Sequence, residues 1–411
     1  MDNLDNHVAK LDPIFFNLIV PTRNRADTLY FCLKSLLSQN YPDFCITVSD
    51  NFSTDNTRGV IHDFNDGRLR YVSTDRPLSM RENWDFALTH VDSGWVSFIG
   101  DDDGLMPNAL ERVAEVINHT SVSAVTSSWS RYTWPGKGLP HPSTLILPLT
   151  YGVEIRNSAL WRQKVIGGMA RYFELPYIYT GGFVDYSVIR KALARKPTFF
   201  NSINPDIYSA IATSLLVDEY AYIKDPVALR GTSLHSTGAS SKKTSPNSVP
   251  MQEFMAQNKG ELHPILEDDN FPISNHFFTY ECYLQASFLA SAKTALSLTS
   301  DIRRQLRIVT ALSNKKDRNF VKSYCKRILA RTRQSEPRSW VEYFVALFVK
   351  PRFLLAELKR EINTIMIDTS SAGVKDVYAA GVFARDIYWQ ERRKAFRKVR
   401  RILAITRSLF A

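Results

Sequence analysis

The 411 residues are 44% apolar and 23% charged, a balance that supports folded cores and excludes a disordered chain or a fibrous repeat. Lys and Arg (52) exceed Asp and Glu (41), but 26 basic and only 10 acidic residues fall in 301–411, so the first 300 residues are slightly acidic. That asymmetry predicts an anionic partner for the C-terminal end. A phospholipid surface suits it better than nucleic acid, because no nucleic-acid-binding module accompanies the charge.

Cys32, Cys45, Cys282 and Cys325 show no C-x-x-C spacing and are read as reduced thiols. No apolar segment follows a basic flank near Met1, and no stretch offers the roughly 20 apolar residues of a spanning helix. The expectation is cytoplasmic residence, with peripheral contact on the inner face of the plasma membrane.

In chain order, Phe15 to Pro21 is an apolar run ending in Pro, followed by Ala26 to Gln39 with Leu29, Cys32, Leu33, Leu36 and Leu37 at helical spacing. Cys45 to Val48 reads as a second buried strand, Ser49 to Thr57 as loop and cap, and a helix begins near Arg58. A third strand at Leu69 to Ser73, a helix around Trp84, Ala87 and Leu88, and a fourth strand at Trp95 to Ile99 complete the pattern. Such alternation predicts a mainly parallel sheet covered by helices on both faces, with ligands bound beyond the carboxyl ends of its strands.

Further on, Ala124 to Ser130 reads as a strand and Trp134 to Pro148 as a loop. Asn157 to Tyr172 reads as a helix, Ile178 to Gly182 as a strand end, and Tyr186 to Arg195 and Asp206 to Val217 as helices. Ser236 to Ser248 is rich in Ser, Lys, Gly and Pro, as in a mobile loop. From about Asn275 the chain is expected to be helical and basic to its end.

Gly100 to Gly104 (GDDDG) places three carboxylates directly after a buried strand. Adjacent like charges repel, so a hard divalent cation bound through oxygen, Mg²⁺ or Mn²⁺ with a diphosphate completing its shell, explains them. A solvated turn capping the next helix is the alternative. Asp50 could accept a hydrogen bond from a nucleobase, whereas Ser53, Asp55 and Thr57 suit loop ordering and capping.

PTRNR at 21–25, SDNFSTDNT at 49–57, RENWDFAL at 81–88 and FIGDDDG at 98–104 together resemble the family 2 glycosyltransferases. The resemblance is close over about the first 130 residues and loose over the next 100. It implies a GT-A, Rossmann-like fold with a mixed, mainly parallel sheet. Residues 1–235 would form that domain, with a nucleotide-sugar half at about 12–130 and an acceptor half at 131–235. A loop or linker at 236–274 and a helical basic region at 275–411 would follow.

By position, the resemblance gives Pro21, Thr22, Arg23 and Arg25 to the nucleoside and Asp50 to the base. Asn83 matches the family's asparagine on the helix before the metal motif, within the nucleotide-sugar site, and Arg81 nearby becomes a diphosphate contact. Asp101 and Asp102 become ribose or sugar contacts, and Asp103 the preferred metal ligand, with Asp101 and His235 as further metal candidates. Two departures stand out: Gly100 occupies a position the family often fills with an acid, and Asn51 replaces the second acid of a usual pair.

The implied reaction is inverting transfer of one sugar from a nucleoside-diphosphate sugar, UDP-linked by preference, to a hydroxyl of a glycan or lipid-linked glycan. Its setting would be bacterial lipopolysaccharide, capsule or exopolysaccharide assembly. The family's usual base motif is absent. Asp206, at a helix start about 100 residues after the acids, is the candidate base and Asp185 the runner-up. An ordinary helix N-terminal charge is the competing reading of Asp206. Trp129, Tyr132 and Trp134 could form a sugar-stacking wall or simply core.

Two other readings compete. One is sugar-phosphate nucleotidyl transfer, disfavoured because PTRNR lacks a glycine-rich phosphate loop. The other is a non-catalytic membrane-surface scaffold that retains a degenerate donor fold.

Overall fold

The structure, a computed structural model, describes residues 14–234, 236, 254–268, 270–290, 302–313, 317–333, 351–352, 354–355, 358 and 362–409. Four parallel strands, β1 (Phe16–Thr22), β2 (Phe44–Asp50), β3 (Leu69–Ser73) and β4 (Trp95–Phe98), lie in the order β3-β2-β1-β4. β1 is FNLIVPT, buried at all but Pro21, as a strand covered on both faces must be. The helices between them are α1 (Ala26–Leu37), α2 (Thr57–Asp63) and α3 (Met80–Leu88). α1 buries Leu29, Cys32, Leu33 and Leu36 along one stripe. α3 opens on a capping box, with the Ser79 hydroxyl accepting from the Glu82 N–H and the Glu82 carboxylate from the Ser79 N–H.

The sheet then becomes mixed, as expected. β9 (Gly182–Asp185) runs antiparallel to both β4 and β6 (Ala124–Thr133), and β7 (Thr144–Pro148) continues the sheet beyond β6. The 14-residue β10 (Glu219–Thr232) lies parallel to β6 and antiparallel to β5 (Gly104–Leu105) and β8 (Val153–Asn157). Its register on β6 shifts on either side of Pro226, which has no N–H to give the ladder. The sequence reading holds no strand at β8 or β10 and places β7 within a loop.

Four helices belong to this half: α4 (Ala109–Thr120), α5 (Ser158–Ile166), α6 (Tyr186–Leu193) and α7 (Pro205–Leu216). Four more follow, α8 (Asn275–Gln285), α9 (Ile302–Leu312), α10 (Arg318–Arg331) and α11 (Val377–Leu409). The expectation that everything after Asn275 is helical fails at β11 (Thr364–Asp368), which pairs with β7 at the edge of the sheet.

Nor does the C-terminal half stand apart from the first. Phe277, Leu306, Tyr324 and Leu329 share one apolar cluster with Trp84, Phe98, Phe200 and Tyr208. Leu262, Leu266 and Phe271, from the expected linker, lie in that cluster too. Val377, Ala380, Ala384 and Tyr388 of α11 pack on Tyr132, Leu145, Leu147 and Leu229. The expected loop at Ser236 to Ser248 lies outside the described residues from Thr237 onward. No helix among the described residues is long and apolar enough to cross a membrane.

Candidate active site

Parallel strands bring their carboxyl ends to one edge, so Thr22, Asp50 and the turn after Phe98 meet there. Asp101, Asp102 and Asp103 are at most 6% exposed and turn inward, not into solvent. The Asp101 carboxylate accepts from the Thr22 hydroxyl at 2.8 Å and from the Arg25 guanidinium at 2.9 Å. PTRNR and GDDDG, 76 residues apart by the Arg25–Asp101 pair, are therefore bonded directly.

The other two acids face the far end of β10. Asp103 accepts the Gly231 N–H on Oδ1 at 2.7 Å and the Thr180 hydroxyl on Oδ2 at 2.6 Å. Asp102 accepts the Ser233 hydroxyl on Oδ2 at 2.7 Å, and the Ser236 hydroxyl on the same oxygen. The Asp102 carbonyl takes the Trp134 indole N–H at 3.1 Å.

This closeness is possible because two positions are glycine. A methyl at Gly231 would fall 1.8 Å from the Asp102 carbonyl oxygen, and one at Gly100 would fall 2.6 Å from the Tyr179 hydroxyl and 2.7 Å from Asp103 Oδ2. Gly100 thus makes room for Asp103, which accounts for an acid being absent there. Desolvation raises the carboxyls of Asp101 and Asp103 to about 6, against the pull of Arg25 on Asp101 and of Thr180 and Arg230 on Asp103.

Five of the six carboxylate oxygens carry protein donors; among the described residues Asp102 Oδ1 has none. The sequence reading favours Asp103 and Asp101 as metal ligands; in the structure the oxygens of both carry protein donors, whereas Asp102 keeps one oxygen without a donor among the described residues. A divalent ion fits this donor set through Asp102, with Asp103 beside it, provided substrate oxygens and water complete the shell. No three acidic, histidine or cysteine side chains among the described residues form a ready-made metal centre. His235 lies outside the described residues.

Asp50 is buried, with Oδ1 on the Ser53 N–H at 2.9 Å and Oδ2 on the Tyr71 hydroxyl at 2.8 Å. Asn51 clasps the segment before α3, exchanging bonds with both backbone groups of Leu78 at 2.8 Å. Asp55 caps α1 from another loop, accepting the Ala26 N–H at 2.9 Å, and Ser53 accepts the Asn24 N–H at 2.8 Å. Ser53 and Asp55 therefore do the ordering and capping expected of them.

Pro21 is partly exposed at the rim and Arg23 is exposed. Asn83 is buried, its side-chain oxygen accepting from the Ser49 hydroxyl at 2.9 Å. Arg81 pairs with Glu261 at 2.8 Å.

Asp206, partly exposed in the first turn of α7, accepts the Tyr172 hydroxyl at 2.7 Å. Asp206 and the acids both act on Tyr179, whose hydroxyl is held well above its ordinary value by desolvation first, then by Asp103 and Asp102, and also by Asp206. Asp185 is not brought to this edge. It pairs with Trp95 at the opposite end of β4 and caps α6 by accepting the Ser187 N–H at 2.8 Å. Of the expected aromatic wall only Trp129 is available, beside Arg230; Tyr132 and Trp134 are buried, the first bonded to the Val374 carbonyl.

The sequence reading does not find Thr180, Arg230, Gly231 or Ser233. Its available signal was the Arg-Gly-Thr-Ser string at 230–233, a glycine at the end of an apolar run.

Residues 17–195 match the family model for glycosyl transferase family 2. A curated relative, the Escherichia coli UDP-Glc:alpha-D-GlcNAc-diphosphoundecaprenol beta-1,3-glucosyltransferase WfgD, is 25% identical over 113 residues, covering 28% of this chain and 45% of the relative. A Campylobacter jejuni GalNAc(5)-diNAcBac-PP-undecaprenol beta-1,3-glucosyltransferase is 31% identical over 105 residues, covering 25% and 34%. The chain thus spans less than half the length of these relatives. Among solved structures, S. aureus TarS 1–349 with UDP-GlcNAc aligns over 79% of this chain and 93% of its own at 16% identity, with a TM-score of 0.46. What these comparisons show is a likeness of residues 17–195, under half of the chain, to glycosyl transferase family 2.

Proposed function

We propose that the protein transfers a single sugar, with inversion, from a nucleoside-diphosphate sugar to a hydroxyl of a lipid-linked glycan during surface-glycan assembly. The observation that carries this reading is the direct bonding of Thr22 and Arg25 to Asp101. It joins the nucleoside loop to the acids at the edge where open sheets bind ligands. The two relatives named above are glucosyltransferases of diphosphoundecaprenol-linked sugars, which favours a UDP-linked donor and a polyprenyl-linked acceptor.

In this reading the nucleoside sits over Pro21 to Arg25 and β2's end, where Asp50 and its loop shape the base pocket. Asp102, with Asp103, would hold Mg²⁺ or Mn²⁺, which when bound supplies positive charge to the departing diphosphate. Asp206 is the base. The Tyr172 hydroxyl fixes Oδ2, leaving Oδ1 to take the acceptor's proton as its oxygen attacks the anomeric carbon. Asp185 has no part in this scheme. The basic C-terminal residues favour contact with an anionic membrane that carries the acceptor.

Isothermal titration with UDP tests the site: wild type binds UDP more tightly with Mn²⁺ than without, and Asp102→Asn loses at least tenfold of that metal-dependent gain. Equal gains in the two proteins would remove Asp102 from the metal. Asp206→Asn should keep UDP affinity and lose about 10²- to 10⁴-fold in turnover, the span of a general base. Release of pyrophosphate in place of a nucleoside diphosphate would instead identify a nucleotidyltransferase.

A further inference from the structure

Arg230 ends the apolar run of β10, one residue before the Gly231 N–H that binds Asp103. Its guanidinium is gripped by rings, with centroids at 4.3 Å (Trp129), 5.4 Å (Tyr179), 5.5 Å (Tyr177) and 5.9 Å (Phe173). One Nη donates to the Tyr177 hydroxyl at 2.9 Å, while Nε is buried with no hydrogen-bond partner. Arg230 itself, Trp129, Phe173 and Tyr179 are each partly exposed, so this cluster beside the acids is not sealed from solvent.

Arg25 pairs with Asp101, Arg81 with Glu261 and Arg112 with Asp225. Arg230 makes no ion pair among the described residues, although Asp103 attracts it from beyond pairing distance. Aromatic faces and the nearby Asp103 stabilise this cation, but neither takes its Nε–H, and a desolvated guanidinium with an idle N–H is costly to keep. A planar fork left in that state matches an incoming phosphate oxygen pair.

We propose that Arg230 is a diphosphate-binding residue, held by its aromatic cradle so that the fork meets the phosphate oxygens of a substrate. This rests on the glycosyl-transfer reading. Two substrates there carry the same group, the nucleoside-diphosphate donor and a diphosphate-linked acceptor. In either case Arg230 faces the second phosphate, so a monophosphate does not engage it.

The test compares diphosphate and monophosphate probes by isothermal titration on wild type, Arg230→Gln and Arg230→Lys, using UDP against UMP and farnesyl diphosphate against farnesyl monophosphate. The expected result is a tenfold or greater loss of UDP affinity in Arg230→Gln with UMP affinity kept within about twofold, partly restored in Arg230→Lys. Retained UMP binding shows that the pocket is folded. A selective loss for farnesyl diphosphate alone assigns the group to the acceptor.

Equal losses for diphosphate and monophosphate, or no loss in either pair, overturn the proposal. If wild type binds no nucleoside diphosphate with or without Mn²⁺, the donor-site reading itself fails. The farnesyl pair then decides Arg230 alone.

Discussion

At the scale of single residues, the acid cluster depends as much on absent side chains as on present ones. A Gly231→Ala methyl would overlap the Asp102 carbonyl oxygen at 1.8 Å, and backbone cannot move aside as a flexible side chain can. Overpacking of this kind costs about 1–3 kcal/mol. It would also push the N–H that holds Asp103 out of line. We expect Gly231→Ala to lower the thermal midpoint and to abolish metal-dependent UDP binding; unchanged binding would show that the end of β10 is not part of the site.

The joining of the acids to the PTRNR loop was legible in the sequence because both sit at element boundaries marked by polar residues after an apolar run, and Asp206 was proposed on the same ground. The setting of Arg230 was not legible, because it is made by rings at 129, 173, 177 and 179 that no local period connects. The same holds for the occupied oxygens of Asp101 and Asp103, whose donors lie 76 to 128 residues away.

At the scale of elements, α8 reaches the segment that presents the candidate base. Glu281, fully buried, accepts from the Ser202 hydroxyl and the His263 N–H, and Cys282 lies 3.1 Å from the same hydroxyl. Ser202 is four residues before Asp206. Burial raises the Glu281 carboxyl to about 7, against the bonds from Ser202, Gln285 and His263.

The native state therefore holds this proton more tightly than the unfolded chain does. The resulting stabilisation is complete below the unfolded value near 4.5 and is lost as pH rises through about 7. Its full size is on the order of 3 kcal/mol. The neighbouring His263 ring, held below its ordinary value mainly by burial, acts in the opposite sense over an overlapping range. The measurable quantity is thus a difference: from pH 4.5 to 7.5 the thermal midpoint of wild type should fall relative to that of Glu281→Gln. Parallel profiles would place the buried proton elsewhere.

The parallel strands β1 to β4 were readable because strands buried on both faces are short unbroken apolar runs between helices of clear period. β8 and β10 were missed for identifiable reasons. β8 reads VEIRN with alternate exposure, and β10 carries Lys-Asp-Pro in its middle, a breaker that the sheet accommodates as a register shift.

At the scale of the whole molecule, charge alone suggested a slightly acidic body and a basic C-terminal tail. The packing ties the described part of that tail to the body. β11 closes the sheet edge on β7, and α11 places Val377, Ala380, Ala384 and Tyr388 against the outer face of the sheet. The Tyr388 hydroxyl reaches the Thr150 carbonyl at 2.7 Å. Removing residues 362–411 would uncover Tyr132, Leu145 and Leu147, so the shortened protein should unfold at lower urea concentration. An unchanged midpoint would restore the separable tail. Composition could not reveal this, because the anchoring residues occupy only the first turns of a helix whose later sequence is basic.

The union of Gly231 with Asp102 and Asp103 also bears on how the proposed site comes into being on the ribosome. Asp102 and Asp103 are translated well before the strand end that gives them the Ser233 hydroxyl and the Gly231 N–H. A growing chain that has just finished the matched segment at 195 has the donors of Asp101 and the Thr180 hydroxyl for Asp103, but lacks the Gly231 N–H and the Ser233 hydroxyl. Competence arrives late, when Gly231 and Ser233 leave the exit tunnel, so proteolytic or genetic fragments that stop at the matched segment should be silent however well their first four strands form.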